Sequence, residues 1–206
     1  MKTEILSTEH PDAIPHAMAV LQNGGLVAFP TDTVYGVAAN PFDATAIERL
    51  YEAKIRENNK AIAILIGNLD QIPLVAREVT VSAKRLAGQF WPGALTLIVP
   101  RLDALPDILS PSASIGLRMP DHAFALALLQ KTGPLATTSA NLSGGANTTT
   151  AQEVSAQLDG RIELLLDGGK TPGGVPSTVV DCTKTEALIL RQGAITADQI
   201  QNVLSS

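Results

Sequence analysis

Short apolar runs alternate with helix-patterned segments along almost the whole chain, and few architectures tolerate that rhythm. Runs at residues 26–29, 61–66, 95–99, 115–117, 135–138, 162–166, 178–181 and 188–190 are of strand length. Several are apolar without a break, as strands buried on both faces are. In the segment 11–23, Ile14, Ala17, Met18 and Leu21 recur at helical spacing before Gly24 and Gly25 stop it. Asp43 is placed to cap a helix that carries Ile47, Leu50 and Tyr51 on one face. Residues 81–90 read as another helix, and Asp121 opens a further one through Phe124, Leu128 and Leu129. Thr150 with Glu153, and Thr196 with Gln199, have the spacing of capping boxes for two late helices. Seven or eight strands mixed with about six helices predict an α/β fold, a sheet with helices packed on it. No repeat and no long linker divides the 206 residues, so a single domain over 1–206 is expected.

Composition narrows the function. Apolar residues make up 45% of the chain, enough for a packed core. Fifteen Lys and Arg against twenty Asp and Glu leave a net charge of −5, which disfavours broad binding to a phosphate backbone. Four Phe, two Tyr and one Trp are too few for a surface that stacks single-stranded bases. The lone Cys182 excludes an internal disulfide and a cysteine-built zinc site, and beside Val179, Val180 and Asp181 it reads as a buried thiol. His10, His16 and His122 lack metal-ligand spacing, so no protein-held metal is expected. The start of the chain carries Glu4, Glu9 and Asp12 rather than a signal-type apolar run. No stretch reaches the roughly 18 apolar residues of a membrane span. A cytoplasmic protein without a membrane partner is expected.

Three stretches carry the polar chemistry. PTDTVYG at residues 30–36 follows a strand and gathers two hydroxyls, a carboxylate and a phenol, either as a small-molecule site or as a capped turn. Arg49, Lys54, Arg56 and Lys60 crowd the end of the second helix, where cations either answer the helix dipole or bind a polyphosphate. From Thr132 to Gln152 no side chain is charged, and TTSANLSGG at residues 137–145 offers hydroxyls, amides and glycine backbone. Such a loop can cradle a phosphate without adding charge, or it can be a plain polar loop. Its spacing is not that of a Walker A loop, and the chain has neither a nucleophile elbow nor a dinucleotide fingerprint. Weaker signals are Arg118 and Arg191 at strand ends and Ser177 at a strand start.

In this order the stretches resemble the YrdC/Sua5 family, the L-threonylcarbamoyladenylate synthases. The matching segments are GGLVAFPTDTVYG (24–36), KIR (54–56), WPGALTLIV (91–99), GLRMPDH (116–122), TTSANLSG (137–144), STVVD (177–181) and LRQGAI (190–195). The resemblance implies a twisted, mixed to parallel YrdC-type sheet flanked by helices, with a concave active site. It implies that L-threonine, bicarbonate or CO2, and ATP give threonylcarbamoyl-AMP and pyrophosphate, with Mg²⁺ accompanying ATP. Separate transfer proteins would then carry the threonylcarbamoyl group to the adenosine beside the anticodon of tRNA, so contact with tRNA itself would be indirect or weak. The chain resembles the short form of the family, without a further C-terminal domain.

Carried over position by position, the resemblance implies catalytic roles for Lys54, Arg56 and Lys60. It implies ATP contacts from the same three residues with Ser114, Ser139, Asn141, Ser143, Asn147 and Arg191. Threonine contacts would come from Thr33, Arg118, Thr137 and Ser177. The chain departs from the family pattern at Glu57 and Ala61, where proline is common, at Leu65, where histidine is common, and at Asn147, where serine is common. The alternatives are a non-catalytic RNA- or nucleotide-binding relative on the same fold.

Overall fold

The alternation becomes a continuous sheet with a helix returning from most of its strands. The structure is a computed structural model and describes residues 2–57 and 60–205. The first part of the chain forms β1 (Glu4–Ser7), α1 (Ala13–Gln22), β2 (Val27–Phe29), β3 (Gly36–Ala39) and α2 (Ala44–Lys54). The middle forms β4 (Ala63–Leu65), α3 (Val81–Phe90), β5 (Leu95–Pro100), β6 (Ser114–Arg118), α4 (Ala123–Thr132) and β7 (Leu135–Ser139). The last part forms α5 (Ala151–Leu158), β8 (Leu164–Asp167), β9 (Thr178–Asp181), β10 (Leu188–Arg191) and α6 (Ala197–Ser205). The strand order is β1-β8-β2-β3-β7-β4-β6-β5-β9-β10. The sheet is mixed: β8 runs parallel to β1 and β2, β4 to β6 and β5 to β9, while the other neighbours are antiparallel.

Two of the ten strands, β1 and β3, go beyond the sequence expectation, each for a physical reason. β1 lies at the sheet edge and is largely exposed, so it shows no continuous apolar run. β3 is Gly-Val-Ala-Ala, weak in strand-forming residues but buried at all four positions by its neighbours. Helix starts also needed small corrections. α1 begins at Ala13 rather than at residue 11. His122, not Asp121, caps α4, its ring nitrogen accepting the Ala125 N–H at 3.3 Å. The other caps are as the spacing predicts. Asp43 accepts the Thr45 and Ala46 N–H groups, and Thr150 with Glu153 closes a full capping box.

Side-chain alternation sends successive residues to opposite faces of the sheet. Ala28, Val37, Ile64, Leu97, Leu117, Val180 and Leu165 point into one core, shared with Ile47 and Leu50 of α2, Leu86 of α3, Val154 of α5 and Ile200 of α6. Val27, Phe29, Ala38, Leu135, Leu164 and Leu166 point the other way, onto Ala17 of α1 and Leu128 of α4. These two helices cover the β8–β2–β3–β7 part of their face, with Leu65 of β4 at its border. Beyond them the sheet is bare on that side, and a cavity opens there.

Candidate active site

The bare part of the face is a cavity of about 370 Å³, within the usual range for a small-molecule site. Its floor comes from positions that alternate with the core residues. Thr137 pairs with Ala63, Gly116 with Ile98, Leu65 with Arg118, and Thr96 with Val179. The floor is low because it must be: a Cβ on Gly116 would come 3.0 Å from Thr96 and 3.3 Å from Ala63. A Cβ on Gly36 would come 2.9 Å from Thr137.

One wall is the turn between β2 and β3. Thr31 Oγ1 donates to Val34 O at 2.6 Å and receives the Thr33 N–H at 3.2 Å, which sets the turn. Arg118, at the end of β6, reaches up into this turn. Its Nε donates to Gly93 O at 3.0 Å, its Nη1 to Thr33 Oγ1 at 3.0 Å and its Nη2 to Asp32 Oδ1 at 2.6 Å. Arg118 is 8% exposed, and the ion pair with Asp32 lies well inside the protein. A guanidinium has five N–H donors, so two remain for a ligand. Next to it, Ser177 Oγ bonds Thr96 Oγ1 at 2.8 Å, and Arg191 Nη2 donates to Ser177 O at 3.0 Å. Burial, with the Arg118 charge adding to it, lowers the pKa of Arg191.

The opposite wall depends on the end of α2. Ile55 takes φ 51° and ψ 48°, and among the described residues no other non-glycine residue has a positive φ. Its N–H donates to Glu52 O at 3.1 Å and that of Arg56 to Tyr51 O at 2.9 Å, the paired bonds of a Schellman stop. This reversal sends the two cations of KIR different ways. Arg56 lines the cavity, its Nη2 donating to Ala61 O at 3.1 Å and Lys60 O at 3.3 Å. No ion pair between its guanidinium and a carboxylate is found among the described residues. Lys54 turns inward and is 1% exposed. Its ammonium donates to the carbonyls of Ser139 and Asn141, while its own carbonyl receives the Ser143 N–H at 2.8 Å. Burial, with the Arg56 charge adding to it, pulls the Lys54 ammonium down to about 7.

Of the sequence-predicted residues, Thr33, Arg56, Arg118, Thr137, Ser139, Asn147, Ser177 and Arg191 line this cavity. Five others stand outside its lining. Lys54 lies behind the 139–143 loop. Asn141 supports that loop, its Nδ2 donating to Leu142 O and Gly145 O at 2.8 and 2.9 Å, and its buried Oδ1 has no partner among the described residues. Ser143 is exposed, as is the Lys60 side chain, whose Nζ sits 3.7 Å from Glu57. Ser114 bonds Ser112 Oγ at 3.0 Å at the start of β6. Thr31, Tyr35 and Gly36 line the cavity too, within the PTDTVYG stretch that the sequence singles out, although no individual contact was expected of them. Thr96 and Gly116 were not expected as site residues, and of these two only Thr96 left a usable signal, as a hydroxyl at an alternate position of an apolar strand. Among the described residues no three His, Cys, Asp or Glu side chains group as a metal site, and no helix is long and apolar enough to cross a membrane.

Comparisons with known proteins show the family and the fold. The sequence model of the Sua5/YciO/YrdC family, described as "Telomere recombination", matches residues 19–193. The chain is 44% identical to the threonylcarbamoyl-AMP synthase of Bacillus subtilis over 98% of its own length and 59% of that protein. It is 39% identical to the threonylcarbamoyl-AMP synthase of Pyrococcus abyssi, over 91% of this chain and 56% of that one. It thus spans less than two thirds of the length of these relatives. The structure of P. abyssi Sua5 complexed with L-threonine superposes with a TM-score of 0.94 at 37% identity, covering 98% of this chain and 61% of that one. Escherichia coli YciO shares the fold, with a TM-score of 0.85 at 24% identity over 96% of this chain and 99% of that one. By a match that runs through every wall of the cavity, the chain belongs to the Sua5/YciO/YrdC family.

Proposed function

We propose that the protein is a threonylcarbamoyl-AMP synthase, forming L-threonylcarbamoyladenylate and pyrophosphate from L-threonine, CO2 or bicarbonate, and ATP. One observation carries the reading: a single cavity holds a guanidinium fixed beside a hydroxyl, Arg118 with Thr33, facing a second guanidinium without a carboxylate, Arg56. The first suits the carboxylate of an amino acid, the second a polyphosphate. The names of the B. subtilis and P. abyssi relatives, and the L-threonine held by the latter, support the same assignment.

In this reading the neutral threonine amine adds to CO2, forming an N–C bond and releasing a proton. A carbamate oxygen then attacks the α-phosphorus of ATP, and the bond from that phosphorus to the bridging oxygen breaks as pyrophosphate leaves. Thr33, Arg118, Thr137 and Ser177 hold threonine. Arg56 and the exposed ammonium of Lys60 face the triphosphate, with Ser114, Ser139, Asn147 and Arg191 around the nucleotide. Lys54 acts through structure: with two of its three donors committed to Ser139 O and Asn141 O, it holds the 139–143 loop in place. Catalysis then rests on positioning and on charge placed where the leaving group develops it. Mg²⁺ would arrive on the triphosphate, since no Asp or Glu stands among the described residues that line the cavity. The product would pass to separate transfer proteins acting on tRNA, in the cytoplasm.

The test is pyrophosphate release from the purified chain. The expected rate requires ATP, L-threonine and bicarbonate together. A rate unchanged when threonine is omitted overturns the synthase reading. Salt-sensitive binding to duplex RNA without ATP consumption would place the chain among non-catalytic relatives instead.

A further inference from the structure

Within the connection from β8 to β9, the segment from Gly168 to Pro176, just before buried Ser177, passes across the outside of the Thr33 turn. Four of its nine residues are glycine, and eight of the nine are exposed. Thr171 is the exception at 3% exposed, although neither its sequence neighbours nor any motif marks it out. Its backbone N–H donates to Thr149 O at 2.8 Å, and its hydroxyl donates to Thr33 O at 3.2 Å. Two residues on, Gly173 lies flat on the same peptide. A Cβ there would come 2.5 Å from Thr33 O, 2.7 Å from Thr33 Cα and 2.9 Å from Asp32 O. The near end of the segment is pinned as well, because Tyr35 Oη donates to Gly169 O at 2.7 Å and receives the Gly168 N–H at 3.2 Å.

Thr33 is therefore gripped from both sides. Inside the cavity its hydroxyl takes a hydrogen bond from Arg118. Outside, its carbonyl takes one from Thr171, and its Cα is backed by Gly173 with no side chain between. A buried carbonyl that loses its donor costs more than a surface one, so the turn is held at the height this clamp sets. Through the Thr171 N–H the same clamp ties the turn to the Thr149 carbonyl.

We propose that Thr171 is a positioning residue: it and Gly173 clamp the Thr33 turn from behind and thereby set where the Thr33 hydroxyl and the Arg118 guanidinium meet the amino-acid substrate. The ligand concerned, threonine, rests on the synthase reading above, whereas the clamp itself does not. Thr171→Val keeps the shape and removes the hydroxyl, and Thr171→Ser restores the hydroxyl. Thr171→Val is expected to raise the KM for L-threonine about fivefold, with kcat and the KM for ATP within about twofold of the parent. Thr171→Ser is expected to return the threonine KM to within about twofold of the parent. Gly173→Ala, which pushes the turn directly, is expected to raise the threonine KM by about tenfold or more. A folded Thr171→Val protein with an unchanged threonine KM overturns the proposal, as does a uniform fall in activity that only tracks the folded fraction. Amide hydrogen exchange at residues 33–36 reads the clamp without any substrate. Faster exchange there in Thr171→Val supports the clamp even if the parent shows no threonine dependence and the synthase reading fails. Unchanged exchange overturns it whatever the assay shows.

Discussion

Arg118 and Arg56 face one cavity from two walls, and the protein holds them by different means. Arg118 is almost fully buried and bonded to a carbonyl, a hydroxyl and its own carboxylate, Asp32. Arg56 is half-buried and rests on the carbonyls of Lys60 and Ala61. A guanidinium with a fixed counter-charge loses reach and gains direction, so it suits one group presented at one angle. A guanidinium held only by dipoles keeps its charge for an anion that arrives and departs. The difference teaches how the two walls would divide the proposed work: one would fix a small substrate, and the other would answer a charge that changes during the reaction.

The comparison breaks most visibly if Arg118 is removed. Arg118→Ala leaves Asp32 buried without its partner, and the expected loss of stability is about 3–5 kcal/mol, read from the denaturant midpoint, together with loss of threonine-dependent turnover. A loss under about 1 kcal/mol would mean that the ion pair is not structural. Arg56→Ala should do the reverse. Stability is expected to stay within about 1 kcal/mol of the parent, while kcat/KM for ATP falls about 100-fold. Unaltered turnover there would remove Arg56 from the phosphate wall.

Lys54 sharpens the contrast through pH. Its folded value of about 7 lies below the ordinary 10.5, so between these values the unfolded chain binds more protons than the folded one. Stability should therefore rise as pH climbs from about 7 towards 10, by up to about 1.4 kcal/mol per pH unit, and this contribution should level off below 7. Lys54→Met should flatten that slope, measured by chemical denaturation across the window. A variant that keeps the parent's slope would show that the buried ammonium is not its source.

How much of this was legible in the sequence depends on range. Local signals are legible: Asp43 before α2, the Thr150–Glu153 box and the strand Thr178–Asp181 stand where spacing puts them. β3 was hidden because glycine and alanine carry no strand signature until neighbouring strands bury them. The order of the strands, and hence the bare half-face that becomes the cavity, was out of reach because pairing depends on contacts far apart in sequence. The motifs did name eight residues that line the cavity. They did not tell which of two cations two positions apart faces outward, since the turn at Ile55 decides that and no residue type announced it. Thr171 escaped for a related reason, because its partner is a backbone carbonyl 138 positions away.

The left-handed turn at Ile55 has a consequence for anyone who wishes to harden this protein. A β-branched side chain is about the least comfortable occupant of that conformation, and this one is 65% exposed, so packing returns little for it. Glycine would sit there with less strain, by roughly 1 kcal/mol. A selection for thermal tolerance alone would thus be drawn to position 55, the very turn that separates a loop-holding lysine from a cavity-facing arginine. Hardening the fold and keeping its chemistry are, at that one residue, separate requirements.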